Sequence, residues 1–215
     1  MKSKGCFITF EGGEGCGKST QAEMLAAKLR SLKIPVESTR EPGGSEEAEK
    51  IRALLKSSKN MDPITEALLL FAARREHFVQ KIQPLLQEGY TIICDRFYDS
   101  SLIYQGVLAK VPIEQLMNLK NMTVGSFEPD LTFVLDVKSV IARRRVQERG
   151  LFLDHYDKMS EDEYELIRNG YKKLAEVFSY RAVLIKASGS PEIVFKKIYK
   201  AVEEKILTAR LSAFS

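Results

Sequence analysis

The run Cys6-Phe7-Ile8-Thr9-Phe10-Glu11-Gly12-Gly13-Glu14-Gly15-Cys16-Gly17-Lys18-Ser19-Thr20 decides the fold. Its first residues form an apolar, strand-like stretch, and from Gly12 the chain follows G-x-x-x-x-G-K-[ST] in the strand-to-helix setting that pattern requires. Glycines permit a loop tight enough for several backbone N–H groups to converge on phosphate oxygens, and the following helix adds its positive N-terminal end. Lys18 supplies a point charge across the β- and γ-phosphates of a bound nucleotide, and the Ser19 hydroxyl is placed to ligate Mg²⁺. Residues Gly12 to Thr20 are therefore expected to bind ATP. Cys16 reads either as a small spacer or as a thiol activated by the helix N-terminus.

Outward from this loop, strand-like runs at 5–11, 34–39, 91–95, 131–137 and 182–186 alternate with helix-like segments. The helices fall near 18–32, 45–57, 63–88, 98–107, 112–124, 138–149, 160–179 and 191–207. Such alternation predicts an α/β chain: a five-stranded parallel sheet flanked by helices in three layers. Asp62, Pro63 and Gly89 bracket the clearest helix, and Pro84 is expected to kink its last turns. Around Gly150 and Asp154-His155-Tyr156-Asp157 the pattern weakens, and a short lid is expected over about 149–160. With 215 residues, no internal repeat and no low-complexity linker, one domain spanning 1–215 is expected.

Composition narrows the partners. A formal charge of +4 without a Lys/Arg block argues against a nucleic-acid partner and fits small anionic substrates. The longest apolar stretches fall far short of the ~20 residues a membrane span needs, and the N-terminus carries no signal-peptide pattern. Cys6, Cys16 and Cys94 form neither a disulfide set nor a metal pattern, so reduced thiols and a cytoplasmic location are expected.

A phosphotransferase must also hold its acceptor. Arginines at strand ends, where α/β sheets bind ligands, are the candidates: Arg40 in Thr39-Arg40-Glu41-Pro42-Gly43-Gly44, and Arg96 after Asp95. Guanidinium groups grip phosphate bidentately. These runs, the segment from Phe71 to Arg75, Asp95-Arg96 followed by Ser100 and Tyr104-Gln105-Gly106, and the strand Pro129-Asp130-Leu131-Thr132-Phe133-Val134-Leu135-Asp136-Val137 together resemble the thymidylate kinase family over nearly the whole chain.

The resemblance implies a P-loop nucleoside monophosphate kinase that moves the γ-phosphate of ATP to dTMP, with Mg²⁺, as a homodimer. It implies that Phe71 stacks on thymine and Arg75 donates to a thymine carbonyl. On residue type alone, Phe71 reads as core and Arg75 as a surface charge. The resemblance further places Ser101 and Gln105 at the base edge and Tyr104 against the sugar, where it disfavours a ribose 2′-hydroxyl. Ser100 joins them, with helix capping an equal alternative. Arg40 and Arg96 clamp the monophosphate, and Glu14 approaches the sugar 3′-hydroxyl or the metal region. Asp95 supports Mg²⁺ or forms a salt bridge.

Some members place an arginine where this chain has Gly15, so the cation for transfer is sought on the helix entering the lid. Arg145 and Arg149, four apart, share a face there, whereas Arg143 and Arg144 read as a solvated basic face. Lys18, Arg96, Arg145 and Arg149 are thus the expected catalytic cations. Where the family often has Asp-Arg in the lid, this chain has Asp154-His155. The rival readings are a P-loop kinase for another nucleoside monophosphate or deoxynucleoside, and an ATP-dependent switch or binding module.

Overall fold

All six residues of strand β1 (Cys6–Glu11) are buried, as expected of a strand covered on both faces within a parallel sheet. In the computed structural model, which describes residues 5–58, 60–148 and 159–207, β1 is joined by β2 (Val36–Arg40), β3 (Thr91–Asp95), β4 (Leu131–Asp136) and β5 (Ala182–Lys186). The five pair in parallel in the order β2-β3-β1-β4-β5. Each expected strand is present, to within two residues at either end. Because β1 lies between β3 and β4, the loop leaving it sits where the strand order reverses, the position at which such sheets hold ligands.

Helices cover both faces of the sheet: α1 (Lys18–Ser31), α2 (Glu46–Ser57), α3 (Pro63–His77), α4 (Gln83–Gln87), α5 (Tyr98–Ser101), α6 (Ile113–Val124), α7 (Ser139–Glu148), α8 (Glu161–Val177) and α9 (Pro191–Val202). Asp62 caps α3, its carboxylate accepting from the Ile64 and Thr65 amides at 3.0 Å each, with Pro63 in the first turn. The segment read as one helix over 63–88 passes through a π-helical stretch, Phe78–Ile82, before α4. Pro84 lies just beyond that stretch and has no N–H to donate, so the ladder widens before it rather than running on in α register. A second π-helical stretch, Leu102–Leu108, extends α5.

Two features set the platform for the site. Phe7, Phe97 and Phe127 pack together beneath it, with the Phe7 ring 5.0 Å from Phe97 and 5.3 Å from Phe127. Arg181, 2% exposed, binds both carboxylate oxygens of Asp99 at 2.7 and 2.8 Å and reaches Tyr98 and Thr132 at 2.8 Å each. This buried pair anchors α5 to the β5 side of the sheet. No helix among the described residues is long and apolar enough to cross a membrane.

Candidate active site

Glycine is required at two places in the loop after β1. Gly12 has φ +139°, and a Cβ there would lie 2.8 Å from the Leu135 carbonyl oxygen. Gly15 has φ +72°, and a Cβ there would come within 2.2 Å of the Ala142 carbonyl oxygen on α7. The position at which some relatives were expected to carry arginine is therefore closed to any side chain here. Packing of α7 against Gly15 instead brings Arg145 alongside, its Nη1 3.5 Å from the Gly15 carbonyl. Lys18 is buried, with Nζ donating to the Gly12 and Gly13 carbonyls at 3.1 and 2.8 Å.

The loop opens onto a cavity of about 400 Å³ lined by Glu14, Gly15, Gly17, Lys18 and Ser19. Arg40, Arg96, Ser100, Ser101, Tyr104 and Gln105 line the same cavity. Gly13 and Cys16 line a smaller cavity behind the loop, and Thr20 is exposed at the start of α1. Burial pushes the Cys16 thiol up despite Lys18 nearby, so of the two readings for this cysteine the small spacer fits.

Arg96 is the hub of a hydrogen-bond network at the cavity. Its φ of +72° puts a non-glycine residue in the left-handed region. Nη1 donates to the Gly12 carbonyl, Ser100 Oγ and Tyr171 OH at 3.2, 3.1 and 3.3 Å. Nη2 donates to Glu14 and to Tyr104 OH, and the guanidinium carbon lies 5.0 Å from the Tyr104 ring centroid. Burial works against its charge, but Glu14, followed by Tyr104, Tyr171 and Asp95, raises its pKa well above the usual arginine range. Arg40 is more open, 52% exposed, and held by both oxygens of Glu49 at 3.0 Å.

Ser19 Oγ donates to Asp95 Oδ2 at 2.6 Å, while the buried Asp95 Oδ1 has no hydrogen-bond partner. A hydroxyl and a half-satisfied carboxylate at the mouth of a phosphate loop fit a hard divalent cation that takes its other ligands from water and phosphate. No cluster of three or more His, Cys, Asp or Glu side chains able to hold a metal occurs among the described residues.

The thymidylate kinase family model matches residues 10–198. The chain belongs to the thymidylate kinase family. It is 44% identical to a thymidylate kinase of Symbiobacterium thermophilum over 92% of each chain. Against one from Rickettsia bellii it is 46% identical, over 92% of this chain and 95% of that one. The crystal structure of thymidylate kinase from Ehrlichia chaffeensis superposes with a TM-score of 0.76 at 31% identity, covering 92% of this chain and 98% of that one.

Within this thymidylate kinase scaffold, two expected base contacts need correction. Phe71 is 1% exposed and belongs to the core, and Arg75 is exposed, donating from Nη1 to the Thr123 carbonyl at 2.8 Å. Neither lines the cavity. A helix turns about 100° per residue, and α3 presents the face one residue earlier: Leu70 and Arg74 line the cavity. Arg74, 3% exposed, lies over the Phe71 ring at 4.5 Å and donates from Nε to Glu41 Oε2 at 2.7 Å. From Nη2 it reaches the Phe97 carbonyl and Ser101 Oγ at 3.2 Å each. Nη1 of Arg74 has no hydrogen-bond partner. Glu41 also meets His77 Nδ1 at 3.1 Å, and His77 Nε2 meets Thr39 Oγ1 at 2.8 Å.

Reading the sequence missed Arg74, Leu70, Glu41, His77, Glu11 and Tyr171. Arg74 was within reach, since it is four residues from Leu70 just as Arg75 is from Phe71. Arg149 and residues 150–158 of the expected lid lie outside the described residues. Ser160, at the lid's other end, caps α8 reciprocally with Glu163.

Proposed function

We propose that this chain transfers the γ-phosphate of ATP to dTMP, giving ADP and dTDP. The observation that carries the reading is a single cavity lined both by Lys18 and Ser19 of the glycine loop and by the arginines Arg40 and Arg96. A nucleotide switch needs the loop residues only.

The acceptor phosphate has a second pKa of ~6 and is largely ionised at neutral pH, so it attacks without a general base. Its oxygen forms a bond to the γ-phosphorus as the bond to the β-bridging oxygen breaks, and ADP leaves with that electron pair. The residues supply alignment and charge neutralisation. Arg96 and Arg40 hold the acceptor phosphate, and Lys18 and the loop amides hold the donor. Arg145, beside the loop, and Arg149 are the candidates for the further cation. Ser19 and Asp95 would hold Mg²⁺, which when bound neutralises charge on the phosphate oxygens.

Acceptor identity rests on Arg74. Its unpartnered Nη1 is a donor only, matching a base carbonyl of thymine and mismatching the exocyclic amino group of cytosine. Ser101 and Gln105 are polar and buried beside it, while Tyr104 and Glu14, linked at 3.3 Å, flank the sugar side. An ADP-release assay with ATP, Mg²⁺ and a panel of dTMP, dUMP, dCMP, AMP and dGMP tests the assignment. dTMP should be the preferred acceptor, and equal turnover with dCMP would overturn it.

A homodimer through α3 and α6 completes the proposal. Ile64 and Leu68, four apart on α3, and Met122 on α6 are 48%, 49% and 75% exposed, and none of them lines the cavity. Light scattering at micromolar concentration should give twice the mass of the chain. The three cysteines are all buried and none is in a disulfide, in keeping with work in the cytoplasm.

A further inference from the structure

We infer that Glu11 is a positioning residue for the acceptor clamp: from beneath the cavity its carboxylate fixes Arg96, through the hydroxyls of Ser100 and Tyr171 and the amide of Phe97, in the orientation that meets the monophosphate. The inference rests on the reading that Arg96 grips the acceptor.

Glu11 ends β1 and is fully buried. Three donors converge on it. The Phe97 amide reaches Oε1 at 2.7 Å, Ser100 Oγ reaches Oε2 at 2.6 Å, and Tyr171 OH reaches Oε2 at 3.3 Å. The same two hydroxyls accept from Arg96 Nη1 and lie 2.9 Å from one another. A hydroxyl has one proton and two lone pairs. With a carboxylate below, its proton points down and a lone pair faces Arg96, so the acceptor at position 11 sets the polarity of the whole relay. Phe97 is the residue after Arg96, whose backbone is left-handed. Gripping its amide holds that strained turn in place.

Among the described residues no cation forms an ion pair with Glu11, while burial and then the Asp99 carboxylate act against its charge and raise its pKa. A carboxylate in this position costs the fold stability, and a residue kept for packing alone would be better apolar or neutral. Its use lies in what it orients. The relay also reaches α8 through Tyr171, so the helix after the expected lid is wired to the same arginine.

Glu11→Gln keeps the shape and inverts the relay, because the amide nitrogen donates to a hydroxyl that must then turn its proton toward Arg96. In the full chain we expect KM for dTMP to rise about tenfold, the loss of one hydrogen bond to a charged group, with KM for ATP unchanged and the thermal midpoint at pH 8 not lowered. Tyr171→Phe removes one arm and should raise KM for dTMP in the same direction by about threefold. Unaltered KM for dTMP in E11Q would overturn the inference; were E11Q not to fold, an unaltered KM in Y171F would do so. Failure of the unsubstituted protein to release ADP with dTMP would instead remove the proposed function, and the two failures are read in separate measurements.

Discussion

Arg74 donates from Nε to Glu41 Oε2 at 2.7 Å, with both side chains 3% exposed, and so points its one unpartnered nitrogen away from the Glu41 side of the guanidinium. Buried ion pairs of this kind are costly to break from one side, and the geometry ties Arg74, the proposed base contact, to the strand end that carries Arg40. On the proposed function, Glu41 joins the two halves of the acceptor site.

Replacing Arg74 with Ala should lower kcat/KM for dTMP about 100-fold, the worth of a charged hydrogen bond in a buried site. It should also destabilise the fold by about 3 kcal/mol, because Glu41 is left buried without its cation. Replacing Arg75 with Ala, by contrast, should leave kcat/KM within about twofold, as expected for a surface change. Steady-state kinetics on the two variants side by side checks the one-residue shift in phase directly. Equal losses in both would restore Arg75 as a base contact.

What could be read from the chain beforehand follows from how local each feature is. The glycine loop needs nine consecutive residues and was fully legible, as were strands whose apolar runs are buried on both faces. Placement of the base contacts needed the phase of α3, and an error of one residue rotates the face by about 100°. Residue type alone had pointed to core for Phe71. The relay beneath Arg96 joins Glu11 to Tyr171, 160 positions apart, and no local pattern marks two residues that meet only once the sheet and α8 have formed. Gly15 was read as a missing arginine. Its reason, the carbonyl of Ala142 pressed against it, exists only in three dimensions.

Asp95 has one oxygen engaged by Ser19 and the other free of partners. Asp95→Asn keeps the contact with Ser19 but removes the charge that attracts a divalent ion. The Mg²⁺ concentration for half-maximal activity should rise about tenfold, in line with the loss of one of few charged ligands. Chelation by EDTA should abolish turnover in the unsubstituted protein, with full recovery on adding Mg²⁺. A Mg²⁺ titration that is the same for both proteins would remove Asp95 from the metal site.

Arg181 and Asp99 hold α5, and with it Ser100 and Ser101, from the far side of the sheet. Arg181→Ala leaves Asp99 buried and unpaired and should cost about 3 to 5 kcal/mol in urea unfolding. Removing both charges with Asp99→Asn and Arg181→Met should cost less than the sum of the single changes, because residues in contact do not act independently. Additive losses would show that the pair does not act as a unit.

Glu11 predicts the direction in which pH acts on stability. Its pKa is pushed from 4.5 up to about 7, first by burial and then by the Asp99 carboxylate, against the opposing pull of Ser100, Arg96 and the Phe97 amide. Between these two values the folded chain holds a proton that the unfolded chain has released, so stability falls as pH rises through this window. The destabilisation is absent below about 4.5 and complete above about 7, and a shift of this size corresponds to about 3 kcal/mol. Glu11→Gln cannot ionise. Its stability relative to the unsubstituted protein should therefore grow by about 3 kcal/mol between pH 5 and pH 8, other titrating groups cancelling in the difference. Urea unfolding of both proteins across that range measures it. A difference that stays constant with pH would mean that Glu11 ionises in the folded chain as it does in the unfolded one, and that the carboxylate beneath Arg96 carries no such cost.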